Sequence, residues 1–286
     1  MDCEPTLTNL VYRAVAILKA AGVPDAGTDA RVLVTEAARL DREDLLRDPV
    51  MALDEETVNS FDVMIGRRCN REPVSRIIGR REFRSLEFQL SPSVLDPRPE
   101  SEIVVEAVLD FVRRRSGKIR VLDIGTGTGC LILSILAELP GATGIGTDFD
   151  VKAVANAFDN ARRLGFLNRT EFLHTFWVDG VVGRFDVIVS NPPYIRTNDI
   201  SKLSPEVSQY EPRAALDGGA DGLDAYRALA SRVSDHLSSS GIVITEIGAG
   251  QKTDVVQVFK NHSFKLVDAR SDHAGHIRSL SFAPTG

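Results

Sequence analysis

Apolar positions follow three successive rhythms along the chain. Up to about residue 70 they recur at helical spacing. Thr8 is placed to cap a first helix that carries Leu10, Val11, Ala14, Val15, Ile17 and Leu18 on one broad face and ends near Gly22-Val23-Pro24. Val32, Leu33, Glu36 and Ala37 predict a second helix over Thr28–Leu40. Asp54 caps a third, in which Val58, Phe61, Ile65 and Cys69 return every three or four residues. So few short helices make a small arm with a limited core of its own.

Between Ile77 and Pro99 the rhythm changes. Phe83 is followed by Leu86, Phe88 and Leu90, which alternate with polar residues and predict a strand pair. Ser91-Pro92 and Asp96-Pro97-Arg98-Pro99 then force extended or turn backbone. From Glu100 onward strand-like and helix-like stretches alternate. The strands are expected at Arg120–Ile124, Thr143–Thr147, Glu171–His174, Phe185–Ser190, Gly241–Glu246, Phe264–Asp268 and Ser279–Phe282. Helices are expected at Cys130–Leu139, Val151–Leu164 and Leu223–Leu237, and Ser238-Ser239-Ser240-Gly241 reads as a turn. Such alternation predicts an α/β fold, a mostly parallel sheet with helices on both faces. The expected division is a helical domain over residues 1–76, a connector over 77–99 and the α/β domain over 100–286.

Composition narrows the class. With 43% hydrophobic and 26% charged residues in 286, the chain has the profile of a soluble globular protein. Its net charge of -6 means that the average field does not draw it onto nucleic acid, although a local basic groove can sit on an acidic protein. Cys3, Cys69 and Cys130 are scattered without CxxC spacing, which fits reduced thiols better than disulfides or a zinc site. The acidic N-terminus lacks the pattern of a signal peptide, and no apolar run approaches the length of a membrane span. A cytoplasmic protein without a membrane partner is expected.

The candidate chemistry begins at Val121-Leu122-Asp123-Ile124-Gly125-Thr126-Gly127-Thr128-Gly129, a strand that enters a glycine-rich turn and then a helix. Glycines allow the turn and let a ligand approach the backbone closely. A dinucleotide fingerprint opened at Gly125 needs glycine where Cys130 stands. The G-x-G-x-G spacing with Asp123 before it resembles motif I of the S-adenosylmethionine-dependent methyltransferases. Asp148 closes the next strand, where a carboxylate can accept both ribose hydroxyls, and Phe149 beside it is placed for adenine. A strand-to-helix turn of an ordinary α/β protein is the bland alternative for the glycines alone.

A second motif ends the apolar strand Phe185–Ser190, namely Asn191-Pro192-Pro193-Tyr194. Ligands of open α/β sheets bind beyond the carboxyl ends of the strands, so this tetrad should meet the glycine loop. An amide or aromatic amino nitrogen is a poor nucleophile because its lone pair is delocalised, and its N–H groups must be held so that nitrogen faces the methyl donor in line. The Asn191 side-chain oxygen can accept one N–H and the Pro192 carbonyl the other, with Pro193 fixing the direction of that carbonyl. Tyr194 can pack on the flat amide. This chemistry requires neither a Ser-His-Asp arrangement nor a metal.

Beyond these motifs the chain resembles the HemK-type peptide chain release factor glutamine methyltransferases. Glu72-Pro73, Gly79, Arg81-Glu82-Phe83, Ser85-Leu86 and Pro97-Arg98-Pro99-Glu100-Ser101-Glu102 carry the likeness before the glycine loop. Tyr210-Glu211-Pro212, Ala215-Leu216, Gly218-Gly219, Asp221-Gly222-Leu223, Glu246-Ile247-Gly248 with Gln251, and Asp272 with Gly275 and Arg278 carry it afterwards. The resemblance implies a Rossmann-like methyltransferase domain with a mostly parallel seven-stranded sheet and a small N-terminal helical domain. It also implies methylation of the glutamine amide in the Gly-Gly-Gln loop of a release factor. Asp123, Gly125, Thr126, Gly127, Thr128, Gly129, Asp148, Phe149, Thr175, Phe176 and Asn191 would bind S-adenosylmethionine. Asn191, Pro192, Pro193 and Tyr194 would hold the glutamine, with Asn191, Pro192 and Tyr194 catalytic, and the helical arm would grip the protein substrate. One departure stands out: where the family carries an acid before an aromatic residue near the adenine, this chain has Thr175 before Phe176, with Trp177 next.

Other features read more plainly. His174, His236, His262, His273 and His276 are scattered, and Arg113-Arg114-Arg115 with Lys118 suits a solvated helix end. Glu246 at a strand end fits a structural hydrogen bond at least as well as a place in the reaction site. The tetrad also serves amino-methyltransferases acting on adenine or guanine, and the same residues would serve a glutamine of a ribosomal protein. The absence of a separate basic domain speaks against a nucleic-acid substrate. An intact tetrad speaks against a cofactor-binding regulator that has lost catalysis.

Overall fold

The computed structural model describes residues 6–41, 43–113, 115, 117–272 and 274–285, so Cys3, Arg114 and His273 lie outside the described residues. Two compact units emerge, Met1–Arg80 with Ser204–Tyr210, and Arg81–Leu203 with Glu211–Gly286. The change of unit falls between Arg80 and Arg81, so the stretch expected as a separate connector is shared between the two.

The first unit is helical, with α1 at Leu7–Ala20, α2 at Ala26–Ala38, α3 at Asp44–Arg47, α4 at Glu55–Cys69 and α5 at Val74–Ile78. The first helix starts earlier than Thr8 suggests. Thr6 is the cap, its hydroxyl accepting from the Asn9 N–H, while the Thr8 hydroxyl donates to the Pro49 carbonyl. That shift brings Leu7, Leu10, Ala14 and Leu18 inward and leaves Ile17 exposed. Likewise α2 buries Ala30, Leu33 and Val34 rather than Val32. Asp54 does cap α4, accepting from the Thr57 N–H, and Phe61 and Ile65 complete the core of this unit. Arg68 is buried and reaches Asp29 at 2.7 Å and Glu206 at 3.1 Å, while Arg71 Nε meets Glu206 at 2.6 Å. Desolvation opposes the charge on Glu206, but the hydrogen bonds from Arg71 and Arg68 prevail and hold its carboxyl down to about 2.

From the unit boundary onward, β1 (Arg80–Phe83) and β2 (Leu86–Gln89) form a two-stranded sheet. Arg84 and Ser85 between them both take left-handed backbone, which suits the twist of a tight hairpin. The chain continues through α6 (Glu102–Val112), β3 (Arg120–Ile124), α7 (Cys130–Glu138), β4 (Thr143–Asp148), α8 (Val151–Leu164), β5 (Thr170–His174) and β6 (Phe185–Ser190). After α9 (Pro205–Ser208), which belongs to the first unit, come α10 (Asp224–Arg232), β7 (Leu237–Glu246), α11 (Lys252–Lys260), β8 (Phe264–Ser271) and β9 (Ile277–Pro284). The seven strands lie in the order β5-β4-β3-β6-β7-β9-β8, and the pairs on β9 are antiparallel. Side chains alternate between the faces, so Val121 enters one apolar cluster and Leu122 the other.

Two local expectations need correction. Ser238–Gly241 is not a turn before a strand but part of β7, where the register slips from Phe185↔Leu237 to Val187↔Ile242. The irregularity absorbs the extra residues without breaking the strand. The helix expected over Leu223–Leu237 is shorter, because α10 gives way to a 3-10 turn at Ser234–His236.

Asn160 of α8 ties the hairpin to the glycine loop. It is fully buried, accepts from the Gln89 N–H at 2.8 Å, and donates to the Gln89 and Thr128 carbonyls at 3.1 and 3.0 Å. Asn160→Ala removes all three bonds inside the protein and should lower stability by roughly 2–4 kcal/mol, measurable by urea unfolding. A loss below about 0.5 kcal/mol would mean that these backbone groups find other partners.

Candidate active site

Order in the sheet reverses at β3, with β4 on one side and β6 on the other, and α/β sheets bind ligands beyond the strand ends at such a point. Ile124 at the end of β3 is level with Ser190 at the end of β6, and the Ser190 hydroxyl donates to the Ile124 carbonyl at 2.7 Å. The glycine loop and the Asn-Pro-Pro-Tyr tetrad therefore leave the sheet side by side. A cavity of about 350 Å³ opens above them. Its lining includes Gly125 to Thr128 and Asp148 with Phe149 and Asp150. It also includes Thr175 to Trp177 and Asn191 to Pro193.

The glycine loop is shaped by its backbone. Gly125, Gly127 and Gly129 all have positive φ. A Cβ added at Gly125 or Gly127 would meet no atom within 4 Å, so at both positions the missing side chain leaves open space. The Gly125 and Thr126 N–H groups both donate to the Thr147 carbonyl at 2.9 Å. Asp123 lies behind the loop, not in the cavity lining. Its Oδ2 accepts from the Thr126 hydroxyl at 2.7 Å, and burial pushes its carboxyl up to about 7 against that hydrogen bond. Gly129 also stays out of the lining and starts α7 in left-handed backbone.

Asp148 is placed as its strand position suggests. One oxygen accepts from the Gly127 N–H and the other from the Asp150 N–H, each at 3.0 Å. Burial raises its pKa while these backbone bonds act in the opposite direction. Phe149 and Phe176 are 55% and 60% exposed yet line the cavity, and the Phe176 ring meets Trp177 edge to face at 6.1 Å. Trp177 holds left-handed backbone, and its carbonyl accepts from the Thr147 hydroxyl at 2.8 Å. Thr175 commits its hydroxyl proton to the Asp179 carbonyl at 2.7 Å, so toward a ligand it offers only acceptor lone pairs.

At the other end Asn191 is half-buried, and its Nδ2 donates to Ser101 Oγ at 3.2 Å. The Pro192 carbonyl receives no hydrogen bond among the described residues. Tyr194 stands behind the tetrad instead of on the cavity wall, its hydroxyl donating to Glu246 Oε1 at 3.3 Å. Its hydroxyl bond to Glu246 gives Tyr194 a supporting position behind the strand end. Gly218 and Gly222 pass so close to the Pro193 and Tyr194 backbone that a Cβ on either would fall within 3 Å of it. Gln251 seals the arrangement by donating to the carbonyls of Tyr194 and Gly222.

Several cavity residues have no motif chemistry of their own. Arg98 borders the cavity with its Nη2 on Glu211 Oε1 at 2.8 Å, and Glu211 Oε2 accepts from the Asp96 N–H. Pro212, Ala214 and Ala215 complete the apolar rim. The likeness to a family pattern marks Arg98, Ser101 and Glu211, but only the fold brings them to one place. Cys130 lines the cavity as a thiol that burial pushes up to about 12. His174 lies outside the lining, bonded to the Phe149 carbonyl. Arg115 covers the Phe111 ring at 4.0 Å, as a helix-end cation does. No helix among the described residues is long and apolar enough to cross a membrane.

A glycine loop at the switch point, an acid ending the next strand and an Asn-Pro-Pro-Tyr strand end define a Rossmann-like S-adenosylmethionine-dependent methyltransferase. A family model described as the methyltransferase small domain matches residues 101–207, and one described as the PrmC N-terminal domain matches residues 9–79. The chain is 42% identical to the release factor glutamine methyltransferase of Agrobacterium fabrum, over 98% of both chains. It is equally similar, at 42%, to that of Rhodospirillum rubrum over 96% of this chain and 84% of the relative. It belongs to the release factor glutamine methyltransferase family. In fold it also matches a methyltransferase structure from Pyrococcus furiosus, with a TM-score of 0.51 and 21% identity over 70% of this chain and 89% of the other.

The buried acid behind the loop makes stability depend on pH. Asp123 in the folded protein keeps its proton up to about pH 7, whereas an unperturbed carboxyl releases it near 3.8. The folded state therefore binds more protons between these values, and this group's contribution to stability is lost as pH rises from about 4 to 7. Comparing urea unfolding at pH 5 and pH 8, wild type should lose stability relative to Asp123→Asn, by at most about 3 kcal/mol. A difference that does not change with pH would show that Asp123 is charged throughout.

Proposed function

We propose that this chain transfers a methyl group from S-adenosylmethionine to the side-chain amide nitrogen of the glutamine in the Gly-Gly-Gln loop of peptide chain release factors. The observation that carries this reading is the pair of acceptors at the end of β6. Ser101 takes the Asn191 amino group, which turns Asn191 Oδ1 away from Ser101 and makes it available to a substrate amide. The Pro192 carbonyl is unused among the described residues. Together they match the two N–H groups of a primary amide.

The residues present fit the cofactor. Gly125 to Thr128 leave room for close approach of its methionine part, Asp148 offers oxygens for the ribose hydroxyls, and Phe149 with Phe176 offers an apolar slot for adenine. Asp123 and Gly129 act by shaping the loop. Thr175 is a neutral acceptor near the adenine end, a hydrogen bond weaker by about 1 kcal/mol than one to a carboxylate. When bound, S-adenosylmethionine supplies an electrophilic methyl on a sulfonium.

The protein's own work is orientation. Asn191 Oδ1 and the Pro192 carbonyl hold the amide so that the nitrogen lone pair, not its hydrogens, faces the donor. Both acceptors become more favourable as positive charge grows on nitrogen, and the proton leaves afterwards. The same geometry rejects glutamate, whose carboxylate would set oxygen against two oxygens in a site with an apolar rim. The helical unit has the task of recruiting the release factor, because one glutamine offers little area for recognition.

Radiolabelled S-adenosylmethionine, purified release factor and versions with Gln→Ala and Gln→Glu in the Gly-Gly-Gln loop test the assignment. Label is expected on the native factor alone; label on a DNA control or on the Gln→Ala factor would overturn it. Asn191→Ala should lower kcat by about 10²–10³ while cofactor Kd, read by calorimetry, stays within roughly threefold. Near-wild-type turnover would remove Asn191 from its role.

A further inference from the structure

Behind the two acceptors Ser101 meets a buried carboxyl, Glu246, that the reading above does not use. An asparagine side chain can present either its oxygen or its amino group to a ligand, and its neighbours decide which. Here Asn191 Nδ2 donates to Ser101 Oγ, and Ser101 is 2% exposed. A hydroxyl that accepts in this way must send its own proton elsewhere. The group facing it is the carboxyl of Glu246, at the end of β7 and itself 2% exposed. Glu246 Oε1 accepts from the Tyr194 hydroxyl, while its Oε2 is buried without a hydrogen-bond partner among the described residues and is the acceptor left open to the Ser101 proton.

We propose that Glu246 and Ser101 are positioning residues that fix the orientation of Asn191, so that its oxygen and not its amino group meets the substrate amide. This rests on the reading of Asn191 as an amide acceptor. Ionised, Glu246 can only accept, so it draws the protons of both Ser101 and Tyr194 toward itself. Ser101 then has only lone pairs left for Asn191, and the two ends of the tetrad are ordered by one carboxylate. Protonated, Glu246 becomes a donor and competes with the Asn191 amino group for the Ser101 oxygen. Asn191 is then free to turn, and its amino group would face the substrate's amino group, donor against donor.

The surroundings place this change in an accessible range. Burial, the largest effect, raises the Glu246 carboxyl to about 7, while Ser101, Tyr194 and Arg278 of β9 favour its charged form and Glu100 opposes it. Arg278 is shared with Asp272 at 2.9 Å and so is only partly available. Tyr226 of α10 donates to the Glu246 main-chain carbonyl, and the Cys130 thiol of α7 is a further ionisable neighbour.

Steady-state kinetics of the full chain with release factor test the relay, using Ser101→Ala, Ser101→Thr, Glu246→Gln and the Ser101→Ala/Glu246→Gln pair. Ser101→Ala and Glu246→Gln should each lower kcat by roughly tenfold to a hundredfold, with KM for release factor and Kd for cofactor within about threefold. The double variant should be no more than about threefold worse than the poorer single one, because both act through Asn191. Ser101→Thr, which keeps the hydroxyl, should recover most of kcat. Wild-type kcat/KM should fall as pH drops through about 7, and this limb should vanish in Glu246→Gln.

Wild-type kcat in Ser101→Ala, or losses that multiply in the double variant, would overturn the relay. If Glu246→Gln fails to fold, the contrast between Ser101→Ala and Ser101→Thr and the wild-type pH limb decide. Asn191→Ala separates the two levels. If it is inactive while Ser101→Ala is normal, the relay alone falls; if it is active, the acceptor reading falls and takes the relay with it.

Discussion

Everything at the site depends on the pairing of β3 with β6. These strands are separated in sequence by α7, β4, α8 and β5, yet they end level, Ile124 beside Ser190. The hydrogen bond from Ser190 to the Ile124 carbonyl locks the two ends where the chain departs into two different loops. Side-chain direction alternates along a strand, so a slip of one residue would turn Ser190 to the opposite face and shift the tetrad relative to the glycine loop. The apolar runs of both strands hold the register, since Val121, Val187 and Val189 enter one core and Leu122, Ile124 and Ile188 the other.

Above that pairing the protein keeps three acids in buried positions, and their environments divide the work. Asp148 sits at the cavity with backbone N–H groups on both oxygens, which favour its charge. Asp123 has the Thr126 hydroxyl on one oxygen, and Glu246 has the Tyr194 hydroxyl on one oxygen, and burial dominates both. Burial is the largest effect on all three and raises each carboxyl, to about 7 for Asp123 and Glu246, and Asp148 differs in lining the cavity with a backbone N–H on each oxygen. The tetrad and the glycine loop each rest on one of these hidden acids.

The frame of the α/β unit was legible because its signals are local. Strand periodicity placed β3 and β6 to the residue, and glycine spacing with a preceding acid marked the loop. Errors arose where a tertiary partner overrode a local preference. Ser238–Gly241 reads as a turn by composition, but pairing with β6 draws it into a strand. Thr8 looks like a cap, but the Pro49 carbonyl claims its hydroxyl and Thr6 takes the capping role. The tetrad was visible as a motif, whereas the location of Tyr194 behind it follows from Glu246, Gln251 and Gly222, which lie far along the chain. Asn160, which joins hairpin to glycine loop, carries no sequence signal, because a single asparagine on a helix looks like surface until its partners are known.

The passage after the tetrad shows why adjacent residues need not share one task. Tyr210, Glu211 and Pro212 are consecutive and read as one pattern, yet the compact units divide between Tyr210 and Glu211. Tyr210 donates to the Asn70 carbonyl and follows Glu206, which is clasped by Arg68 and Arg71 within the helical unit. Glu211 is buried against Arg98 and the Asp96 N–H, and Pro212 reaches the cavity lining. Ion pairs exposed to water contribute little, but those of Glu206 and Glu211 are largely shielded, and breaking one would leave a charge without its partner. The chain that leaves the tetrad is therefore pinned at two successive points, by one acid in each unit. The second anchor, Glu211, directly precedes the residues Pro212, Ala214 and Ala215 that form the apolar rim of the cavity.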